Sequence, residues 1–281
     1  MNYAFQPQSK PMRVHIFDVE HGECNVIETP TGKTILIGAG HNPTTNWRPS
    51  SWFSQKKLPL TCVVLTNLDR DHLSDLPNFE PSLRPYVIRK NHNIDPDWLE
   101  NKKIEESGEI HPGVETALHW IKNVFTGSGV TIDYGIEKKH FTHAPSKFDD
   151  TNNLSVVTFI AHGGIGIMFP GDLETAGWQE FLKDQDFVDC LKRTNILIAS
   201  HHGREGGYCE EIFDHCSPHT VIISDKPIVH DTQDHDLYSQ HCSGLDFGGI
   251  TRKVLTTRND GKITIEVPAT GSYTVYINQG Y

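Results

Sequence analysis

Short apolar runs, separated by turns that contain glycine, proline or asparagine, are the dominant pattern along this chain. Runs of this kind, enriched in valine and isoleucine, are typical of strands buried in a sheet. They predict strands over residues 13–19, 24–29, 34–37, 60–65, 87–88, 155–161, 165–169, 195–200, 221–224, 253–257, 262–267 and 272–277. Because Asn259-Asp260-Gly261 is a strong turn signal, we expect the strands on either side of it to form a hairpin.

Apolar residues with helical spacing occur in fewer segments and predict helices over residues 114–125, 173–192 and 210–215. Prolines interrupt residues 75–150, which we predict to be a less regular, lid-like insertion in a single domain that spans residues 1–281. Within this insertion, the polar residues 138–143 are predicted to form a solvated loop.

The composition is that of a globular protein, with 281 residues of which 36% are hydrophobic and 22% are charged. The chain contains no apolar run of the roughly 18 residues that a membrane-spanning helix needs. Residues 1–11 have no signal-peptide core. We therefore expect a cytoplasmic protein with no membrane partner, whose six cysteines are reduced thiols.

The formal net charge of −11 narrows the function further. It disfavours a broad surface for gripping nucleic acid, because lysine and arginine supply the affinity for phosphate. A local basic channel is still compatible with this charge, and so is a bound metal ion that supplies the positive charge itself.

Candidate chemistry begins where the apolar run 60–65 ends, with the polar residues Asn67, Asp69, Asp71 and His72. Burying such groups without partners would cost roughly 2–7 kcal/mol each. A divalent cation would satisfy all of them at once. The alternative is a polar loop in which Asp71 caps the helix that follows.

Two further predicted strands also end in residues that bind metals. Asp172 follows the strand 165–169, and His201 and His202 follow the strand 195–200. Strands that end at one edge of a sheet layer bring such residues together across large separations in sequence. The three strand ends together therefore predict a metal site.

These motifs resemble those of metallo-β-lactamase-fold hydrolases. Thr66 to His72 is similar to that family's Ser/Thr-His-x-(His or Asp)-x-Asp-His signature, Gly171-Asp172 to its bridging aspartate, and Ser200 to Gly203 to its late histidine motif. The strongest similarity is to the hydrolase domain of bacterial DNA-uptake proteins of the ComEC type. The motifs that carry it are the loop 18–23, the segment 153–155 and the turn 257–261. This resemblance implies an α/β fold, a metallo-β-lactamase-like αββα four-layer sandwich.

The resemblance also implies ligands for one or two divalent ions. Asp71, His72, Asp172 and His201 would form the better-preserved site, with His202 as a further candidate ligand. A second site would contain Asn67, Asp69, Asp172 and either Asn152 or Asn153. Its oxygen-rich donors suit manganese or magnesium better than zinc. Two residues depart from the family pattern, since Asn67 stands in place of a histidine and Gly38 in place of an aspartate.

The activity implied is that of a metal-dependent phosphodiesterase or nuclease, acting on nucleic acid or nucleotides through a metal-activated water. Asp69 or Asp71 would orient that water, and His202, His230 or His235 would protonate the leaving oxygen. A plain hydrophilic surface loop is an equal alternative for His230 and His235.

Two other functions fit the same residues. One is hydrolysis of carboxylic esters, lactones or thioesters, for which zinc would be preferred. The other is a module that has lost catalysis, as Asn67 suggests, and acts through a protein partner. A homo-oligomer is a further expectation.

Overall fold

The structure, a computed structural model, describes residues 10–79, 81–127, 130–226 and 235–278. In chain order its strands are β1 Met12–Ile16, β2 Asn25–Glu28, β3 Thr34–Ile37, β4 Cys62–Val64, β5 Val87–Arg89, β6 Glu137–Phe141, β7 Val157–His162, β8 Ile165–Phe169, β9 Thr194–Ile198, β10 Thr220–Ile223, β11 Leu245–Phe247, β12 Ile250–Arg252, β13 Val254–Thr256, β14 Ile263–Val267 and β15 Thr274–Tyr276. Its α-helices are α1 Pro49–Lys56, α2 Arg70–Leu73, α3 Pro96–Ser107, α4 Pro112–His119, α5 Thr175–Phe181, α6 Gln185–Leu191, α7 His235–Ser239 and α8 Thr257–Asp260.

Two large sheets pack face to face. The first has the strand order β15-β14-β1-β2-β3-β4-β5, and the second has the order β13-β10-β9-β8-β7-β6. Buried aliphatic residues of both sheets, among them Ile16, Val64 and Ile167, form the core between them. Helices α1 and α4 cover the outer face of the first sheet, and α5, α6 and α7 cover that of the second. The predicted α/β sandwich is confirmed.

The strand directions place the site at one edge of this sandwich. Strand β4 runs parallel to β3, and β8 runs parallel to β9, so the carboxyl ends of neighbouring strands lie together in each sheet. A hydrogen bond joins the two sheets at this edge. The N–H of Val156, just before β7, donates to the carbonyl of Thr66, just after β4, at 2.7 Å. Residues that follow β4, β8 and β9 therefore converge.

The predicted hairpin at residues 253–267 is wrong. Strand β13 pairs with β10 in the second sheet, with Val254 opposite Val221, whereas β14 pairs with β1 in the first sheet. The residues between them form the helical turn α8, whose start is capped by the Thr256 hydroxyl accepting from the N–H of Asn259. Gly261, at φ +59°, ends that turn. The same Asn-Asp-Gly sequence thus serves a crossover between sheets instead of a hairpin.

The helical and irregular segments also differ from the prediction. The expected helix over 173–192 is two helices, because the side chain of Asp184 accepts from the N–H of Asp186 and starts α6 anew. Residues 75–150 contain the predicted strand at 87–88, as β5, and the predicted helix over 114–125, which begins as α4. They also contain α3 and the edge strand β6, which the sequence pattern does not predict. The expected solvated loop at 138–143 is largely the half-buried edge strand β6.

Two other expectations can be compared with the fold. All six cysteines are buried free thiols. Among the described residues, no helix has both the length and the apolar character needed to cross a bilayer.

Candidate metal centre

Four side chains converge at the edge where the two sheets meet. Asp71, His72, Asp172 and His202 each offer one ligand atom, and these atoms all lie within 4.8 Å of one another. The Nε2 atom of His72 is 3.1 Å from Oδ2 of Asp172 and 3.3 Å from Nε2 of His202. The His202 Nε2 is in turn 3.3 Å from Oδ2 of Asp71. Two nitrogens and two oxygens therefore surround one point.

Close backbone packing positions the first two of these residues. Asp71 and His72 lie in the single turn α2, which follows β4. A Cβ on Gly40 would lie 2.3 Å from the carbonyl oxygen of Asp71, so only glycine lets the loop after β3 pack this closely against α2. Asp172 follows β8 directly after Gly171, whose φ of +62° is unfavourable for other residues.

His202 reaches the cluster through a strained turn. His201 and His202 both have left-handed backbone conformations, with φ of 49° and 55°. For residues other than glycine, such conformations cost of the order of 1–3 kcal/mol each and concentrate at functional sites. The turn is fastened to the end of β8, because the N–H of His201 donates to the carbonyl of Gly171 at 3.1 Å. The strained backbone therefore holds the imidazole of His202 against Asp172.

The buried charges of the cluster stabilise one another. Burial alone would lower the pKa of His72, but the carboxylates of Asp172 and Asp71 outweigh burial and raise this pKa well above its ordinary value. The pKa of His202 is raised in the same way against burial, chiefly by Asp172. Burial alone would raise the pKa of Asp172, but the two histidines hold it far below its usual range. Without a cation, the carboxylates therefore favour the protonated forms of His72 and His202.

The four side chains fit a divalent cation. Two imidazoles and two carboxylates are donors that zinc and manganese accept. The Oδ1 atom of Asp172 is buried without a hydrogen-bond partner. Buried polar atoms are nearly always satisfied, so this oxygen calls for a cation or water. The structure therefore contains a cluster able to hold one divalent ion.

Glu23, which the sequence analysis placed only in the 18–23 loop, orients one of these histidines. Its Oε2 lies 3.1 Å from Nδ1 of His72 and accepts from the Thr66 hydroxyl at 2.6 Å. A carboxylate on the far nitrogen of a metal-binding imidazole fixes the tautomer and raises ligand basicity. The signal in the sequence was the loop motif itself, which carries a carboxylate just before β2.

Replacing Glu23 with glutamine should weaken metal binding about 10–100-fold while leaving the fold intact, because the amide removes the charge that supports His72. Titration of metal-free protein with Mn²⁺ measures the change. Asp18→Asn in the same loop is the matched control and should leave the affinity unchanged. An unchanged affinity in Glu23→Gln would show that Glu23 does not support the site.

His201, predicted as a ligand, lies outside the cluster. Its Nδ1 is 3.7 Å from Oε1 of Glu174, and its Nε2 is 3.3 Å from a guanidinium nitrogen of Arg204. Burial lowers the pKa of His201. The structure thus brings His202, and not its neighbour, into the cluster, because the left-handed turn directs successive side chains apart.

Asn153, also predicted as a ligand, makes its hydrogen bonds away from the four-ligand cluster. Its Oδ1 accepts from the N–H groups of Glu174 and Gly177, and its Nδ2 donates to Asp150. These bonds fix the start of α5 and leave Asn153 outside the cluster. His230 lies outside the described residues, and for His235 the structure describes only the start of α7.

Asp69, expected with Asn67 to help hold a second cation, faces hydrogen-bond donors, whereas Oδ1 of Asn67 is buried without a hydrogen-bond partner. The amide nitrogen of Asn67 donates to Asp69 at 2.9 Å and to Asp172 at 3.1 Å. The other oxygen of Asp69 accepts from the ammonium of Lys103 at 2.6 Å. Burial alone would lower the pKa of Lys103, but Asp69 and Glu106 raise it, so the ammonium is charged at neutral pH. Lys103 was not found from the sequence.

Metal-free protein should become less stable as the pH rises above about 6.5. The folded-state pKa values of His72 and His202 are raised, so their stabilising contribution is complete below the unfolded pKa and is lost as pH rises through the folded values. Thermal unfolding in chelator from pH 5.5 to 9 should show a falling Tm. Excess Mn²⁺ should remove most of this slope, since a cation takes the place of the protons. A flat profile in chelator would contradict the raised pKa values.

Comparison with known proteins gives one distant similarity. No family model matches the chain. The chain is 24% identical over 235 residues to ComE operon protein 3 of Bacillus subtilis strain 168, a match covering 72% of this chain. It spans only 28% of the length of that protein. This distant similarity agrees with the ComEC-type resemblance of the sequence motifs.

Proposed function

We propose that this chain is a metal-dependent hydrolase of phosphodiesters, acting on nucleotides or short single-stranded nucleic acid. The observation that carries the proposal is the convergence of Asp71, His72, Asp172 and His202 from three separate strand ends. The motif resemblance to ComEC-type hydrolase domains supports a phosphodiester substrate, and the distant similarity to ComE operon protein 3 agrees with that resemblance.

A divalent cation held by these residues would supply Lewis acidity and would activate water as a nucleophile near neutral pH. Asp71 is the solvent-facing member of the cluster, with 38% of its side chain exposed against 5% for His202. Substrate therefore approaches from the side of Asp71. Its carboxylate is placed to accept a hydrogen bond from the attacking water and orient it.

The substrate cleft adjoins this opening. Arg70, the residue before Asp71, lines a cleft of about 300 Å³ together with Lys103 and His111. The carboxylates of Asp69, Glu106 and Glu109 also line this cleft, and Lys103 is paired with the first two. Recognition of a phosphate ester by charge would therefore fall to Arg70 and to the bound cation. The volume lies at the lower end of ligand pockets and suits a single nucleotide unit. The acidic remainder of the surface disfavours duplex DNA.

Hydrolysis of carboxylic esters, lactones or thioesters ranks second. An apolar cavity lined by Leu65, Leu99 and Ile121 lies beside Asn67, as such a substrate would require. Its volume is only about 30 Å³, which is room for a water molecule and not for an acyl chain. A catalytically inactive module is disfavoured by the buried four-ligand cluster.

A panel of substrates tests the proposal. Metal-free protein reconstituted with Mn²⁺ or Zn²⁺ is assayed on bis-p-nitrophenyl phosphate, cyclic dinucleotides, single- and double-stranded DNA, RNA, and p-nitrophenyl acetate. We expect turnover of the phosphodiesters that chelator abolishes, and faster cleavage of single strands than of duplex. If protein shown to hold metal hydrolysed none of the phosphate esters, the proposal would be refuted. Turnover of p-nitrophenyl acetate alone would favour hydrolysis of carboxylic esters, lactones or thioesters.

A further inference from the structure

Lys103 contacts Asp69, one of the ligands that the motif resemblance implies for a second metal ion. It belongs to α3, within the segment expected to be an irregular insertion, and is 7% exposed. Its ammonium is 2.6 Å from Oδ1 of Asp69, 3.0 Å from Oε2 of Glu106 and 2.9 Å from the hydroxyl of Thr151. A buried ammonium with these oxygen contacts is fixed in position, which is not expected of a solvated surface lysine.

Both carboxylate oxygens of Asp69 are already engaged, whereas Oδ1 of Asn67 is buried without a hydrogen-bond partner. Asp69 accepts from Lys103 on one carboxylate oxygen and from the amide of Asn67 on the other. The same amide donates to Asp172. A cation bound by Asp69 would have to displace these N–H donors and come within a few ångströms of a like charge. Asp69, with both oxygens held by N–H donors, therefore does not fit a second metal ion in this arrangement.

We propose that the ammonium of Lys103 takes the place of a second cation, so that the chain binds a single divalent ion. Lys103 neutralises Asp69 and, through Asp69 and Asn67, helps to orient Asp172 in the four-ligand cluster. It also offsets the carboxylate of Glu106, which lines the same cleft. Lys103 is thus a positioning residue, and its ammonium compensates the carboxylate of Asp69 beside a site that binds one metal ion. The inference rests on the proposed function only in taking that cluster as the cation site.

Metal stoichiometry tests this directly. Equilibrium dialysis against Mn²⁺ with elemental analysis should give one equivalent for the unmodified chain. Asn67→His, which restores an imidazole donor while keeping Lys103, should still bind one equivalent. Asn67→His combined with Lys103→Ala should bind two, and electron paramagnetic resonance should show a spin-coupled pair of Mn²⁺ ions. The double variant with Lys103→Gln provides the same test if the alanine variant folds poorly.

Three results would overturn the inference. These are two tight equivalents in the unmodified chain, two in Asn67→His alone, or one in both folded double variants. Near-ultraviolet circular dichroism verifies folding in each case. The readout is independent of hydrolysis. One bound cation with no phosphodiesterase activity would refute the proposed function and leave this inference standing. Phosphodiesterase activity with two bound cations would support the proposed function and refute this inference.

Discussion

Replacing Asp172 with asparagine should abolish tight metal binding and reduce hydrolysis by more than the roughly 100-fold that loss of an outer hydrogen-bonding partner can cost. Asp172 contacts both histidines of the cluster, with Oδ2 3.1 Å from Nε2 of His72 and Oδ1 3.5 Å from Nε2 of His202. An amide removes the negative charge on which both contacts depend. Metal content after dialysis and the rate on bis-p-nitrophenyl phosphate are the measurements.

The same substitution should destabilise the metal-free protein. Removing one partner from a buried ion pair typically costs about 3–5 kcal/mol, because the remaining charges lose their compensation. At a pH near 6 the histidines should then give up their protons, since Asp172 is the main cause of their raised pKa values. The loss in Tm measured in chelator should therefore be larger at pH 6 than at pH 9.

A matched control separates the site from a general effect of removing an aspartate. Asp186→Asn changes a surface residue whose side chain is 79% exposed and 3.6 Å from Lys139. Pairs of this kind contribute little to stability, so Tm and metal content should stay unchanged. If Asp172→Asn kept both its metal and its activity, the four-ligand cluster would not be the catalytic centre.

The sequence predicts most of the strands and the three strand ends that meet at the site. Apolar runs identify β4, β8 and β9 because these strands are buried on both faces. Parallel pairing then brings their carboxyl ends to one edge, where Asp71, His72 and Asp172 lie. These positions follow from local pattern and strand direction alone.

Other features depend on geometry that local pattern does not encode. A double histidine does not reveal which imidazole turns inward, because local pattern does not predict the left-handed backbone of His201 and His202. Lys103 comes from a helix 34 residues after Asp69, with nothing in its neighbourhood to mark it as buried. The crossover at Gly261 has the sequence of a hairpin turn, because local pattern does not show that the strands on either side pair in different sheets.

His202→Ala and His201→Ala form the sharpest comparison within the site. His202 has Nε2 within 3.5 Å of Asp71, His72 and Asp172, whereas His201 faces Glu174 and Arg204. We therefore expect His202→Ala to lose the metal and, with it, more than about 100-fold in rate. His201→Ala should retain one equivalent of metal and a substantially higher rate.

The two variants are well matched because the residues are adjacent and both backbones are left-handed. Alanine is no better suited to that conformation than histidine, so the backbone strain stays the same in each variant and cancels from the comparison. Metal content is the deciding measurement, since it responds to a lost ligand and not to a lost proton donor. Loss of metal in His201→Ala with retention in His202→Ala would reverse the assignment of the inward imidazole, because the chain would then use the histidine that faces Glu174.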